Sequence, residues 1–451
     1  MLNTKYITQQ ILGAEGIDWT QAQSDYKTVV EEAAAQLSER QKNAEEPLGW
    51  MSLPSNVSLL KQIESVAHVE EGRFSDLIVL GIGGSSLGAL TLLSALQHPY
   101  HGLKKKRHGI RVHFIDNVDG DIIHGLLEVL DPRHTLVNVI SKSGTTTETM
   151  AAYLVCKQWL QTSLGSNYCK HIVATTDPHK GVLRPLAEKS GYATLPVPAN
   201  VGGRFSVFSP VGLFPALLGG LDIRGLLAGA AKAQSGFLKP IEHNVHLQSA
   251  LLLYLFARRG KSMVVFMPYS SRLRFLADWF VQLWAESLGK AVDRKGTVVH
   301  TGTTPIKALG ATDQHSQVQL YREGPNDKLT YFIRVERSQK SLVIPNAEPD
   351  QSDMNYLAGK SFSELMNAEQ MATAYALAEA GRPSLTWTMP KLDSHELGYL
   401  MQSLMLQTAV VGELLDINAF DQPGVELGKV LTYGLMGRPG YEHEVESLRD
   451  Q

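Results

Sequence analysis

Several things that define other protein classes are scarce in this 451-residue chain. Cysteine is nearly absent: Cys156 and Cys169 form no Cys-x-x-Cys pair and belong to no repeated Cys/His spacing. That argues against a disulfide framework or a cysteine-built zinc site and fits a reducing compartment. No charge of one sign dominates, with 42 Lys+Arg against 45 Asp+Glu, so no global positive field favours nucleic acid. The first residues, Met1-Leu2-Asn3-Thr4-Lys5-Tyr6, lack the charged and then apolar run of a secretory signal, and the expected location is cytoplasmic. The longest uncharged stretch is residues 205–221, and Ser206, Ser209, Pro210, Pro215 and several glycines break it. It is expected to be a buried turn and helix, with no membrane as partner.

What is present is the composition of a globular protein. Hydrophobic residues make up 43% and charged residues 19%, while 39 Gly and 20 Pro are too few for a linker-like or fibrous chain. At roughly 100–200 residues per domain, the length suits two or three domains.

Patterning supplies the architecture. Residues 26–46 are rich in Ala, Glu, Gln and Lys and predict a surface helix within a helical N-terminal segment, 1–70. Short apolar runs then alternate with helix-like stretches: Asp76-Leu77-Ile78-Val79-Leu80, residues 111–116, 135–140 and 171–175. Such alternation predicts βαβ units and a parallel sheet covered on both faces, a first α/β domain over 71–220. A second series opens at Ser262-Met263-Val264-Val265-Phe266-Met267-Pro268 and predicts a second α/β domain over 221–390. The two openings echo each other, Ile78-Val79-Leu80 before Ser85-Ser86 and Val264-Val265-Phe266 before Ser270-Ser271. Two domains of related build are the simplest explanation, and independent strand-turn-helix chemistry is the other. Residues 391–451 return to helix, notably 394–415 and a stretch from Pro423.

Six places carry chemistry. Gly81-Ile82-Gly83-Gly84-Ser85-Ser86 lies where a strand yields to a helix, and there glycine lets the backbone approach a ligand while free N–H groups attract an anion. A dinucleotide fingerprint is the rival, but Ser86 stands where a third glycine belongs, and Asp116 is later than the usual acidic partner. A purely structural turn also stays open. Ser141-Lys142-Ser143-Gly144-Thr145-Thr146-Thr147-Glu148-Thr149 is richer in information. Its hydroxyls and one ammonium at a helix start make a donor-rich cup for a phosphate monoester, whereas helix capping alone needs one hydroxyl. Arg204, after Gly202-Gly203, can offer its fork to a developing oxyanion, although a lone Arg is most often a surface charge.

Residues 275–289 read as an amphipathic helix with Gln282 and Glu286 on the edge of its aromatic arc. A partly desolvated carboxylate there suits a general base, against the ordinary alternative of a Glu reaching into water. His315, in Thr312-Asp313-Gln314-His315-Ser316, has the most site-like setting of the 15 histidines. Lys429 follows Gln422-Pro423, a helix start.

Taken in order, these segments resemble the glucose-6-phosphate isomerase family, from about Ile78 to Lys429. The resemblance implies two sugar-isomerase (SIS) type parallel α/β domains, each flanked by helices, with helical termini. It implies reversible aldose–ketose isomerisation of glucose 6-phosphate to fructose 6-phosphate with no cofactor and no required metal. By matching position, Ser141, Ser143, Thr146 and Thr149 would hold the sugar phosphate, with Lys142 nearby and Gly84 and Ser85 lining the pocket. Glu286 would move the proton between C1 and C2, Arg204 would steady the enediolate, His315 and Lys429 would serve ring opening, and Gln282 and Gln422 would orient the sugar. The family's active site lies at a homodimer interface to which the partner contributes the His. The length matches the family's shorter bacterial form, and Arg322-Glu323 stands where the longer form has His-Gln. A sugar-phosphate binder without catalysis, and an isomerase of mannose 6-phosphate or an amino-sugar phosphate, are the competing readings.

Overall fold

A computed structural model describes residues 17–70 and 72–445. The helix Trp19–Arg40 is capped by the Asp18 carboxylate, which accepts from the Gln21 N–H, and it starts and ends earlier than the composition of 26–46 predicts. Its buried stripe of Val30, Ala33, Ala34 and Leu37 joins the main core. The helix Val57–Glu70 follows.

Five parallel strands form the first sheet: β1 Asp76–Leu80, β2 Arg111–Ile115, β3 Thr135–Ile140, β4 Ile172–Thr176 and β5 Ala193–Pro196, in the order β2-β1-β3-β4-β5. β1, β3 and β4 are buried along their whole length, and that is why they read as continuous apolar runs. β1 connects outward to β2, and the chain then returns across it to β3, so the order reverses between β1 and β3. In an open parallel sheet that reversal opens a crevice at the strands' C-terminal ends.

The second sheet repeats the plan. β6 Met263–Tyr269, β9 Thr304–Lys307, β10 Lys328–Arg337 and β11 Ser384–Lys391 are all parallel, in the order β11-β10-β6-β9. Matching β6, β9, β10 and β11 to β1, β2, β3 and β4 gives the same strand order in both sheets. The echo in sequence is therefore an echo in topology. A short antiparallel pair, β7 Lys290–Val292 and β8 Val298–Thr301, is inserted between β6 and β9.

Between the sheets runs one large apolar core. The helix Ser394–Leu414 is its axis, buried on all sides along most of its length, and packs on the helices Ile223–Ser235, Val245–Arg258 and Arg274–Leu288. Such all-round burial marks a core helix. Two of its glutamines are bonded across the core: the Tyr331 hydroxyl donates to Gln407 Oε1 at 2.9 Å, and Gln402 Nε2 donates to Gln234 Oε1 at 2.7 Å. The uncharged stretch after Arg204 folds as a tight turn, Gly203–Phe205, and a buried helix, Pro210–Leu218. No helix among the described residues is long and apolar enough to cross a membrane.

Candidate active site

At the reversal point of the first sheet, the turns after β1 and β3 face each other. Gly83 has φ +57°, and a Cβ there would stand 2.8 Å from Gln282 Nε2. At Gly84 a Cβ would stand 2.3 Å from the carbonyl carbon of Gly203. Glycine is thus required because the Arg204 turn and the Gln282 helix press against this loop. Where a dinucleotide fold would bring pyrophosphate to these glycines, protein already fills the space. Ser85 is half-buried beside them, and the Ser206 hydroxyl, which donates to Gly203 O at 2.7 Å within its own turn, also reaches Gly84 O at 3.4 Å, joining the two turns.

The loop after β3 is built from its own hydroxyls. Ser141 Oγ lies 3.1 Å from Thr146 Oγ1 and accepts from the Gly144 N–H at 3.0 Å, while Ser143 Oγ lies 2.8 Å from Thr145 Oγ1. The helix that follows, Thr147–Leu164, starts at Thr146 without any side-chain cap. Capping therefore does not account for the hydroxyl cluster, and the helix start keeps N–H groups for an anion. Thr149 is buried with its Oγ1 unpartnered. Lys142 points elsewhere: its ammonium donates to the carbonyls of Ala199 at 2.5 Å and Val201 at 3.2 Å. It ties the phosphate-type loop to the segment leading into Arg204, and burial pushes its pKa down.

Arg204 is no surface arginine. It is 3% exposed, and every N–H of its guanidinium is used. Nε donates to Ser287 Oγ at 2.8 Å, and Nη1 to Gln422 Oε1 at 2.8 Å and Glu286 Oε2 at 3.2 Å. Nη2 donates to the carbonyls of Ala419 at 2.7 Å and Asp421 at 3.1 Å. Burial pushes its pKa down, with the Glu286 carboxylate pulling it back up. Its partner Glu286 is half-buried on the helix Arg274–Leu288, and Gln282, one turn earlier, donates to Oε1 at 3.0 Å. Both carboxylate oxygens are thereby oriented.

At the loop after β3 lies a cavity of about 470 Å³ lined by Ser143, Thr145, Thr146, Glu148, Lys429 and Tyr433 among others. Lys429, on the C-terminal helix Glu426–Leu435, is half-exposed and paired with Glu426 at 2.7 Å. The Tyr433 hydroxyl donates to Thr145 O at 3.4 Å and closes the helix over the loop. So one end of the chain is folded back onto the turn after β3. His315 is not brought to this group. It sits exposed in the turn after β9, outside the lining of the Lys429 cavity.

A model of the phosphoglucose isomerase family matches residues 58–448. The chain belongs to that family. It is 42% identical to the glucose-6-phosphate isomerase of Carboxydothermus hydrogenoformans over 98% of this chain and 95% of that protein. Among solved structures it resembles a hypothetical protein of Thermus thermophilus, with a TM-score of 0.88, 42% identity, and coverage of 97% of this chain and 99% of the other. A glucose-6-phosphate isomerase from Chlamydia trachomatis is similar with a TM-score of 0.76 and 27% identity, over 93% of this chain and 81% of that one.

Several groups around the site are harder to read from the sequence. Lys290 is buried, and its ammonium donates to the carbonyls of Glu286 at 2.6 Å and Asp421 at 2.7 Å, joining the helix end to the segment before Gln422. Burial, then the nearby Arg204 charge, push its pKa down. Its spacing of four residues from Glu286 was the available signal. Ser287 and Tyr433 offered none, since their roles come from contacts with distant segments.

Proposed function

We propose that the chain interconverts D-glucose 6-phosphate and D-fructose 6-phosphate, in glycolysis and gluconeogenesis, through a cis-enediolate formed by Glu286. The observation that carries this reading is the buried Arg204 guanidinium shared between Glu286 and Gln422. A mere sugar-phosphate binder has no use for a base paired with a desolvated cation.

Ser141, Ser143, Thr146 and Thr149, with the open helix start, receive the phosphate, and the buried Thr149 hydroxyl gains the partner it lacks. Ring opening needs a proton delivered to the ring oxygen and one removed from the C1 hydroxyl, and Lys429 with a histidine supplies that pair. Glu286 then takes the C2 proton, the electron pair moves through C1–C2 to the carbonyl oxygen, and the same carboxyl returns the proton to C1 as the O2 proton moves to O1. The carboxylate's negative charge passes to the substrate oxygen in this step. Because Glu286 becomes neutral, its hold on Arg204 Nη1 weakens, and that N–H is free to follow the charge to the enediolate. Gln282 and Gln422 hold the base and the cation in register meanwhile.

The exposed position of His315, away from its own chain's Glu286, supports a homodimer in which each subunit lends His315 to the other's site. The few cysteines support a cytoplasmic setting. The test is a coupled assay of purified protein with fructose 6-phosphate, run beside mannose 6-phosphate. Fast conversion of the first is expected, and none at all would overturn the reading.

A further inference from the structure

The active-site loops follow β1 and β3. Since the second sheet repeats the first, the equivalent loops are those after β6 and β10, at the second sheet's own reversal point. A cavity of about 600 Å³ lies there, lined by Tyr269 to Arg272 at the end of β6 and just after it, by Val335 and residues 337–340 at the end of β10, and by Phe362 and Ser363 at the start of the helix Phe362–Glu379. The correspondence extends to that helix, the first long one after β10 as the helix Thr147–Leu164 is the first after β3, each 18 residues long, with the short helix Ser352–Asn355 inserted before it. The size suits a small-molecule site.

The lining has a definite chemistry. Arg272, Arg337 and Lys340 contribute positive charge, and no carboxylate lines the cavity. Ser270, Ser271, Ser338 and Ser363 add hydroxyls, and Ser363 Oγ donates to Ser338 Oγ at 2.8 Å, joining the helix start to the β10 loop. Arg272 is anchored by donating from Nη2 to Gln97 O at 3.1 Å, while its Nε is buried without a partner. A concave site with cations, hydroxyls and no anion favours a phosphate group. The other wall is apolar: Leu96, Leu342, Phe362 and Leu392 line it, and Leu342 and Phe362 are 63% and 54% exposed. A hexose has no hydrogen-bond partners on such a wall, whereas a ring without hydroxyls would cover it.

We infer that this cavity is a second ligand site, for an organic phosphate whose body is apolar or aromatic, distinct from the sugar-phosphate site on the first sheet. The experiment is isothermal titration of the full-length protein with phenyl phosphate while glucose 6-phosphate saturates the first site. One equivalent per chain is expected to bind, and Arg337→Glu with Lys340→Glu should weaken it at least about tenfold while leaving isomerase activity and thermal midpoint unchanged. Both residues are exposed, so the pair of reversals leaves the core untouched. Orthophosphate should bind the same site about tenfold more weakly than phenyl phosphate. Absence of binding, or binding indifferent to the two reversals, would overturn the site, and equal affinity for the two probes would overturn the apolar half of it. Should glucose 6-phosphate fail to occupy the first site, the wild type would bind an additional equivalent and the reversals would still remove one, so failure of the isomerase reading is separable.

Discussion

Arg204 Nη1 and Glu286 Oε2 stand 3.2 Å apart, and the two residues differ sharply in exposure: the Arg204 side chain is 2% exposed and that of Glu286 32%. The cation is fixed inside the protein while the carboxylate is partly open to solvent. Such an arrangement suits the proposed roles, a rigid electrostatic stabiliser beside an accessible proton carrier.

Arg204→Lys should expose how much of this depends on the fork. A lysine has no planar set of donors to serve Ser287, Gln422 and two carbonyls at once. Turnover should fall by about 10²–10³ and stability by about 2–3 kcal/mol, read from steady-state kinetics and urea unfolding. Turnover near that of the wild type would remove Arg204 from the mechanism.

Subunit exchange addresses His315. Homodimers of Glu286→Gln and of His315→Ala should each be nearly inactive. Mixed and allowed to exchange, they should recover about one quarter of wild-type activity, because half the dimers then carry one site with both groups intact. No recovery despite demonstrated exchange would place His315 in its own chain's site.

Stability should fall in mild acid through His246. The ring is fully buried, and desolvation lowers its pKa from an ordinary 6.5 to about 4, the Ala233 backbone pulling weakly the other way. Between these values the unfolded chain binds the proton that the folded chain refuses. The contribution is whole above about pH 6.5 and is lost toward pH 4, by about 3 kcal/mol. Burial lowers His101 and His171 as well, adding in the same direction. His246→Gln should flatten the pH dependence of urea unfolding between pH 7 and 4.5. An unchanged slope would rule His246 out as a source of acid sensitivity.

Strands β1, β3, β4 and β6 were legible because burial on both faces demands unbroken apolar runs. β11 was not, since Thr386 and Thr388 interrupt Leu385, Trp387 and Met389, yet those hydroxyls are buried, and Thr386 Oγ1 accepts from Gln370 Nε2 at 3.3 Å. The hydroxyl loop after β3 could be read because its residues are neighbours in sequence. The Arg204 hub could not, because Ser287, Ala419, Asp421 and Gln422 reach it from segments more than 80 residues away. Lys142 had the right local setting for phosphate, but the approach of the loop at 199–201 takes up its ammonium.

The central claim is that Glu286 carries the proton. Glucose 6-phosphate deuterated at C2, followed by NMR in ordinary water, tests it directly. The wild type should form fructose 6-phosphate, with deuterium partly transferred to C1 and partly lost to solvent. With Glu286→Gln both processes should slow by about 10³ or more while substrate affinity changes little. Loss of the C2 deuterium at near-wild-type rate in Glu286→Gln would contradict the account.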